Sequence, residues 1–89
     1  MSEAATILVV EDELPIRRFI RPALRGEGYR MIEADSLRAG LVQASSHRPS
    51  VIIVDLGLPD GDGLELISRV REWTQTPILV LSARGLEHD

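Results

Sequence analysis

Residues 51–63 read VIIVDLGLPDGDG. The first four, residues 51–54, are apolar and β-branched, and they predict a strand buried on both faces, as at the centre of a parallel sheet. Asp55 ends the run. The Gly, Pro and Asp residues behind it predict a sharp turn that leaves the Asp55 carboxylate at the carboxyl end of the strand. Ligands of open α/β sheets bind at that edge. From this stretch alone, a solvated Asp in a turn explains the pattern equally well.

The composition limits the classes of protein to which the chain can belong. Its 89 residues form at most one small domain, and the 44% of hydrophobic residues is ordinary for a globular protein. The lack of Cys excludes disulfides and thiolate metal sites. A formal charge of −4 argues against direct binding to nucleic acid. The sequence shows neither a signal peptide nor a membrane-spanning apolar run, so we expect a cytoplasmic protein that does not contact a membrane.

Upstream of residue 51, the sequence predicts two strands and two helices. Thr6–Val10 repeats the apolar pattern and also runs into acid, at Glu11 and Asp12. A helix with Pro15 in its first turn follows, and its apolar positions have helical spacing: Ile16, Phe19, Ile20, Ala23 and Leu24. The four Arg residues of this helix are interpreted as a solvated face. Residues 29–34 alternate as in an outer strand, and Ser36 is placed to cap a second helix, weakened by Gly40.

Downstream of the acidic loop, the sequence predicts one more helix and one more strand. Asp62 and Glu65 match a capping box, and Leu66, Ile67 and Val70 form the inner face of the third helix. Pro77 opens a fourth strand at Ile78–Leu81. The order β-α-β-α-β-α-β requires parallel pairing with right-handed crossovers. We therefore predict an α/β fold with an open doubly wound parallel sheet.

Polar side chains follow three of the four predicted strands: Glu11 and Asp12, Asp55, and Ser82. If the first and third strands are neighbours, the three carboxylates converge, and like charges raise one another's pKa. A hard divalent cation, above all Mg²⁺, relieves that repulsion. One carboxylate can then act as a nucleophile on a phosphoryl group, with the Ser82 hydroxyl as a hydrogen-bond donor. The exposed loop position predicted for His47 indicates a surface residue rather than a ligand.

Three segments resemble the receiver domain of two-component response regulators. They are VVEDE at residues 9–13, DLGLPDGDG at residues 55–63 and LSAR at residues 81–84. Together with PIRRF at residues 15–19, these segments are most similar in sequence to OmpR-like regulators of potassium-uptake genes. The resemblance implies a flavodoxin-like fold with strand order 2-1-3-4-5, and control of transcription by the intact protein.

The resemblance also implies a role for each candidate site residue. Asp55 matches the aspartate that accepts a phosphoryl group from a sensor histidine kinase. Glu11 and Asp12 match the acidic pair that binds Mg²⁺ together with that aspartate. Gly57 matches the residue that offers its backbone carbonyl to the metal, and Ser82 matches the hydroxyl residue that bonds the phosphoryl group.

The sequence departs from the family at its carboxyl end. A complete receiver continues with a fourth helix, a fifth strand followed by a lysine, and a fifth helix, whereas all ten basic residues here are Arg. We therefore expect residues 1–89 to be a partial receiver, truncated after the fourth strand and without a DNA-binding domain. An uncovered fourth strand predicts a homo-oligomer, or assembly through that strand.

Two functions from different classes remain open. The first is a phospho-accepting receiver, which signals and is not an enzyme. The second is an interaction module on the same scaffold, in which the acidic residues are vestigial. Only the first requires tight convergence of the carboxylates, so a metal titration separates them. A phosphatase that forms an aspartyl-phosphate is disfavoured, because such enzymes carry a second acid two residues after the nucleophile, where this chain has Gly57.

Overall fold

The computed structural model describes residues 4–81, and strands and helices alternate along most of that range. In chain order the elements are β1 (Thr6–Val10), α1 (Leu14–Gly26), β2 (Arg30–Ala34), α2 (Leu37–His47), β3 (Val51–Asp55), β4 (Gly57–Leu58), β5 (Gly61–Asp62), α3 (Gly63–Val70) and β6 (Ile78–Leu81). The predicted order of four long strands and three helices is confirmed. The two-residue strands β4 and β5 were not predicted, because a hairpin this short has no hydrophobic periodicity.

The four long strands form one parallel sheet in the order β2-β1-β3-β6. Strands β1 and β3 are neighbours at its centre, with Leu8 beside Ile52 and Val10 beside Val54. This register brings the carboxyl ends of the two strands together. The predicted pairing of the first and third strands is therefore confirmed, and β2 lies at the outer edge as expected.

The main core lies between one face of the sheet and the helices α2 and α3. Alternate strand residues point to this face, and they pack against apolar side chains of both helices: Leu8, Val10, Ile52 and Val54 from the sheet, and Leu37, Ala44, Leu66 and Val70 from the helices. Gly40, which weakened the prediction of α2, has a packing reason. A Cβ there would lie 2.7 Å from Leu66 Cδ1 and 3.0 Å from both Val10 methyl carbons, so Gly40 allows close packing of α2 against α3 and β1.

The opposite face of the sheet carries α1 and is less completely covered. Phe19 was predicted on the inner stripe of α1 but is 81% exposed, and no residue of this helix is fully buried. Similarly, Val54 of β3 is buried whereas Ile53, which points to the other face, is only half-buried. The prediction of a β3 strand buried on both faces therefore holds fully for one face.

The arginines of α1 are not simply a solvated face, which corrects the prediction. Arg21 donates from Nε and Nη2 to the Glu33 carboxylate of β2, at 2.7 and 2.8 Å, and Arg17 donates from Nη1 at 3.2 Å. These bonds lower the pKa of Glu33, chiefly through the hydrogen bonds from Arg21. The ion pairs connect α1 to β2, whereas Arg18 and Arg25 are exposed.

The capping box predicted for α3 is half formed. The Asp62 carboxylate accepts a hydrogen bond from the Leu64 N–H at 2.9 Å, as an N-cap should. Glu65 does not complete the box but pairs with Arg69 at 3.1 Å, one helical turn later. Ser36 caps α2 as predicted, by accepting from the Ala39 N–H at 3.0 Å. Within residues 4–81, no helix is both long and apolar enough to cross a membrane.

Candidate acidic site at the carboxyl edge of the sheet

Three carboxylates meet where β1 and β3 end. Glu11 and Asp12 follow β1 directly, and Asp55 is the last residue of β3. Each offers an oxygen atom that lies within 4.8 Å of one from each of the other two. The strand register produces this convergence, because parallel neighbours end at the same edge of the sheet. The three acids that the sequence predicted to converge do so.

Glu11 is the buried member of the cluster, with only 2% of its surface exposed. Its backbone N–H donates to the Ala34 carbonyl at 2.9 Å, and its Oε2 accepts from the Glu13 N–H at 3.0 Å. The pKa of the Glu11 carboxyl is raised to about 7, and burial is the largest cause. The hydrogen bond from Glu13 acts in the opposite direction, and Asp55 and Asp12 add smaller upward contributions. Burial therefore contributes more to this shift than the like charges on which the sequence-based prediction relied.

The remaining two carboxylates keep the site open to solvent. Asp12 is exposed and Asp55 is half-buried. A set of three hard oxygen donors with an open side suits Mg²⁺, which binds through a few carboxylates and keeps water or phosphate oxygens in its other positions. The residues that the structure brings together thus fit the predicted cation. Ser82, the predicted hydroxyl donor, lies outside the described residues, and His47 is exposed at the end of α2.

The loop after Asp55 is a small hairpin packed against the end of β3. Gly57 pairs with Asp62 and Leu58 pairs with Gly61 in antiparallel fashion, and the Leu58 side chain is buried in the main core. Gly63 closes the hairpin, since its N–H donates to the Leu56 carbonyl at 2.9 Å. Gly57, the predicted carbonyl ligand, lies in this hairpin two residues after Asp55.

Sequence reasoning missed Asp60, which joins this hairpin to α2. Its Oδ1 accepts from the Leu37 N–H at 2.7 Å and its Oδ2 from the Arg38 N–H at 3.0 Å. These two hydrogen bonds lower the pKa of the Asp60 carboxyl, the one from Arg38 most strongly. In the sequence Asp60 is one of several turn residues. Its partners are 22 and 23 positions away, and only the tertiary fold identifies them.

Residues 7–89 match the family described as the response regulator receiver domain. The chain belongs to this family. The predicted resemblance to receivers is thus confirmed, and with it the identity of the domain as a part of a two-component response regulator. Receiver domains are signalling domains, and the acidic cluster of this receiver lies at the sheet edge where the strand pattern predicted it.

Two curated relatives are similar to this receiver over most of its length. It is 54% identical over 83 residues to the KDP operon transcriptional regulatory protein KdpE of Escherichia coli, covering 93% of this chain and 37% of that protein. It is 36% identical over 89 residues to the phosphate regulon transcriptional regulatory protein PhoB of Escherichia coli, covering 97% and 39%. The chain therefore spans little more than a third of the length of these relatives.

The fold comparison agrees with the sequence comparison. The structure of the Vibrio cholerae chemotaxis protein CheY4 superposes with a TM-score of 0.81 at 34% identity, covering 86% of this chain and 67% of that one. The predicted α/β fold of the flavodoxin-like receiver type is confirmed.

Proposed function

We propose that this receiver accepts a phosphoryl group on Asp55, in a site where Glu11, Asp12, Asp55 and the Gly57 backbone carbonyl bind Mg²⁺. One observation carries the proposal: carboxylate oxygens from the ends of two adjacent strands lie within 4.8 Å of one another. In a vestigial site, nothing would compensate for the cost of a buried carboxylate such as Glu11 next to two other acids. Burying a charge without a counter-ion costs free energy.

The chain's own residues have distinct parts in this chemistry. Asp55 lies half-buried at the end of β3. In the proposed reaction one of its carboxylate oxygens attacks phosphorus in line with the leaving group. A new bond forms between that oxygen and phosphorus, and the bond from phosphorus to the donor's nitrogen or oxygen breaks. The electron pair of the broken bond leaves with the donor. The product is an acyl phosphate on Asp55.

Glu11 and Asp12 act as charge partners rather than as nucleophiles. The Glu13 N–H fixes the Glu11 carboxylate at 3.0 Å, so its position is set before any ligand arrives. A bound Mg²⁺ supplies positive charge that offsets the carboxylates and the phosphoryl oxygens. Because the Glu11 pKa is raised to about 7, cation binding near neutral pH competes with protonation of this carboxyl.

The relatives support a wider role for this receiver in the control of transcription. We infer that the donor is a sensor histidine kinase and that the receiver belongs to a cytoplasmic, KdpE-like regulator of transcription. Potassium-uptake genes are the proposed target, supported by the 54% identity to the KDP operon regulator. Residues 1–89 are not proposed to contact DNA, since their formal charge is −4. In this proposal the Ser82 hydroxyl bonds the phosphoryl group.

Labelling with acetyl phosphate tests the proposal. The 89-residue chain is incubated with acetyl phosphate and Mg²⁺, and the adduct is located by mass spectrometry after peptide digestion. We expect one phosphoryl group on Asp55, none in Asp55→Asn and none when the metal is chelated. The chain contains no Lys, so one cationic partner of the family site is missing. We expect labelling about 10²–10³ times slower than in a receiver that has one.

Asp35→Asn is the matched control for this experiment. Asp35 is an exposed acid that follows the neighbouring strand β2, and it lies outside the acidic cluster. We expect Asp35→Asn to be labelled like the wild type. An adduct that persists in Asp55→Asn would assign the acceptor to another residue. No adduct on any variant, together with no Mg²⁺ binding, would favour the interaction module instead.

A further inference from the structure

Asp60 binds the first turn of a helix that is remote from it in sequence. Leu37 and Arg38 are the first two residues of α2, and their N–H groups have no partner within the helix. Both donate to the Asp60 carboxylate, at 2.7 and 3.0 Å. A negative charge at this end of a helix is also favoured by the helix dipole. The local cap, Ser36, binds a different N–H, that of Ala39.

The same segment packs against α2 through its neighbours. A Cβ on Gly61 would lie 2.5 Å from Leu37 Cδ2, so the backbone of residue 61 passes directly over that side chain. Leu58 and Leu37 belong to the same buried core. The segment of residues 56–62, called the acceptor loop below, is therefore attached to α2 by hydrogen bonds as well as by packing.

Gly57 lies in the acceptor loop, three residues before Asp60, and pairs across the hairpin with Asp62. We propose that Asp60 is a positioning residue that fixes the backbone of the acceptor loop, and so of Gly57, by anchoring it to the first turn of α2. The consequence for the metal rests on the proposed function, in which the Gly57 carbonyl is a ligand. The anchoring itself is independent of any metal. Asp60 touches neither the cation nor the phosphoryl group in this proposal.

Amide hydrogen exchange of the metal-free 89-residue chain tests the anchoring. The reporter is the Gly63 N–H, which closes the acceptor loop by donating to the Leu56 carbonyl. We expect this amide to exchange about tenfold faster in Asp60→Ala, the change that corresponds to losing about one capping interaction. Asp60→Asn keeps one oxygen acceptor and should give a smaller change.

Ser36→Ala is the matched control. It removes the cap bond to the Ala39 N–H and weakens the same turn of α2 without touching the acceptor loop. We expect faster exchange at Ala39 in this variant and less than a twofold change at Gly63. Equal exchange at Gly63 in Asp60→Ala and the wild type would overturn the proposal. So would an equal acceleration at Gly63 in Ser36→Ala, because a general loosening of α2 would then explain it.

A Mg²⁺ titration of the same variants tests whether Asp60 also positions Gly57 for metal binding. We expect Asp60→Ala to bind Mg²⁺ about tenfold more weakly, Ser36→Ala to stay within twofold of the wild type, and Asp60→Asn to lie between. Asp60→Asn and Asp60→Ala lose the same charge, so the difference between them measures the hydrogen bonds. Unchanged affinity in Asp60→Ala would overturn the role in positioning Gly57. If the wild type binds no Mg²⁺, the proposed function fails, and the exchange result alone decides the anchoring.

Discussion

Glu11 is the residue at which folding and chemistry conflict. It follows four apolar residues, 7–10, and is itself 2% exposed, yet it carries a carboxyl group. Its pKa is raised to about 7 because burial disfavours the charged form. The folded chain therefore holds a proton on Glu11 that the unfolded chain releases near pH 4.5.

The raised pKa predicts a direction for the pH dependence of stability without metal. Its contribution is fully present below about pH 4.5 and is lost as the pH rises through about 7. We expect the wild type to lose about 2–3 kcal/mol of unfolding free energy over that window relative to Glu11→Gln, which cannot ionise. Urea unfolding of both proteins with chelator, at several pH values, measures the difference. Parallel curves for the two proteins would contradict the prediction.

At the residue scale, the positions of the acids could be predicted from the sequence, but the environment of each one could be predicted only in part. Glu11, Asp12 and Asp55 were predicted to converge because each follows an apolar run. The dominant effect of burial on Glu11 could not be predicted, since it depends on how completely neighbouring elements cover the end of β1. For the same reason Arg17 and Arg21 were assigned to solvent. Their partner Glu33 is 16 and 12 residues away and meets them only when α1 packs beside β2.

At the scale of the elements, Gly63 determines how closely α3 begins behind Asp55. A Cβ on residue 63 would lie 2.5 Å from the Asp55 backbone oxygen and 2.9 Å from Leu56 Cα. Both neighbours are backbone atoms, so the chain around Asp55 would have to move. The first turn of α3 and the end of β3 are thus packed as one unit.

We predict that Gly63→Ala destabilises the chain by about 1–3 kcal/mol, because overpacking outweighs the gain in helix propensity of about 1 kcal/mol. Gly26→Ala is the control. Gly26 is also helical, at the end of α1, and a Cβ there meets no atom within 4 Å. It should be neutral or stabilising by up to about 1 kcal/mol. Chemical unfolding of both variants measures the changes, and a Gly63→Ala protein as stable as the wild type would contradict the clash.

The long elements could be predicted from the sequence because each has a clear hydrophobic period. The bounds of β1 and β6 agree with the apolar runs at residues 6–10 and 78–81. The β4–β5 hairpin could not be predicted, since its Gly and Asp residues indicate only a turn. The missing half of the α3 capping box has a similar cause. Glu65 can bond either the Asp62 N–H or the Arg69 side chain, and the motif does not show that it pairs with Arg69.

At the scale of the whole molecule, the sheet has an apolar edge at β6. Among residues 4–81, β6 pairs with β3 alone. Leu79 and Val80 point to opposite faces of the sheet, and both are exposed, Leu79 by 59%. Phe19 on α1 adds a further exposed apolar side chain. An apolar edge strand of this kind readily pairs with another chain.

We therefore predict that the 89-residue chain self-associates through β6. A charge placed on the edge, as in Leu79→Lys, should shift the chain toward monomer while leaving Mg²⁺ binding less affected. Val42→Lys is the control, because Val42 is similarly exposed but lies on α2. Sedimentation equilibrium over a range of concentrations measures the mass. A wild-type chain that remains a cooperatively folded monomer at high concentration would contradict this prediction.

The proposal that Glu11, Asp12 and Asp55 act as one cation site is tested most directly by the Mg²⁺ affinity of Asp12→Ala beside that of Asp35→Ala. Both variants lose one exposed acid at the same sheet edge, but only Asp12 belongs to the cluster. We predict weak Mg²⁺ binding by the wild type and Asp35→Ala, and none by Asp12→Ala. Without metal, Asp12→Ala should be as stable as the wild type or more so, because a like-charge repulsion is removed. Unchanged Mg²⁺ affinity in Asp12→Ala would contradict the assignment.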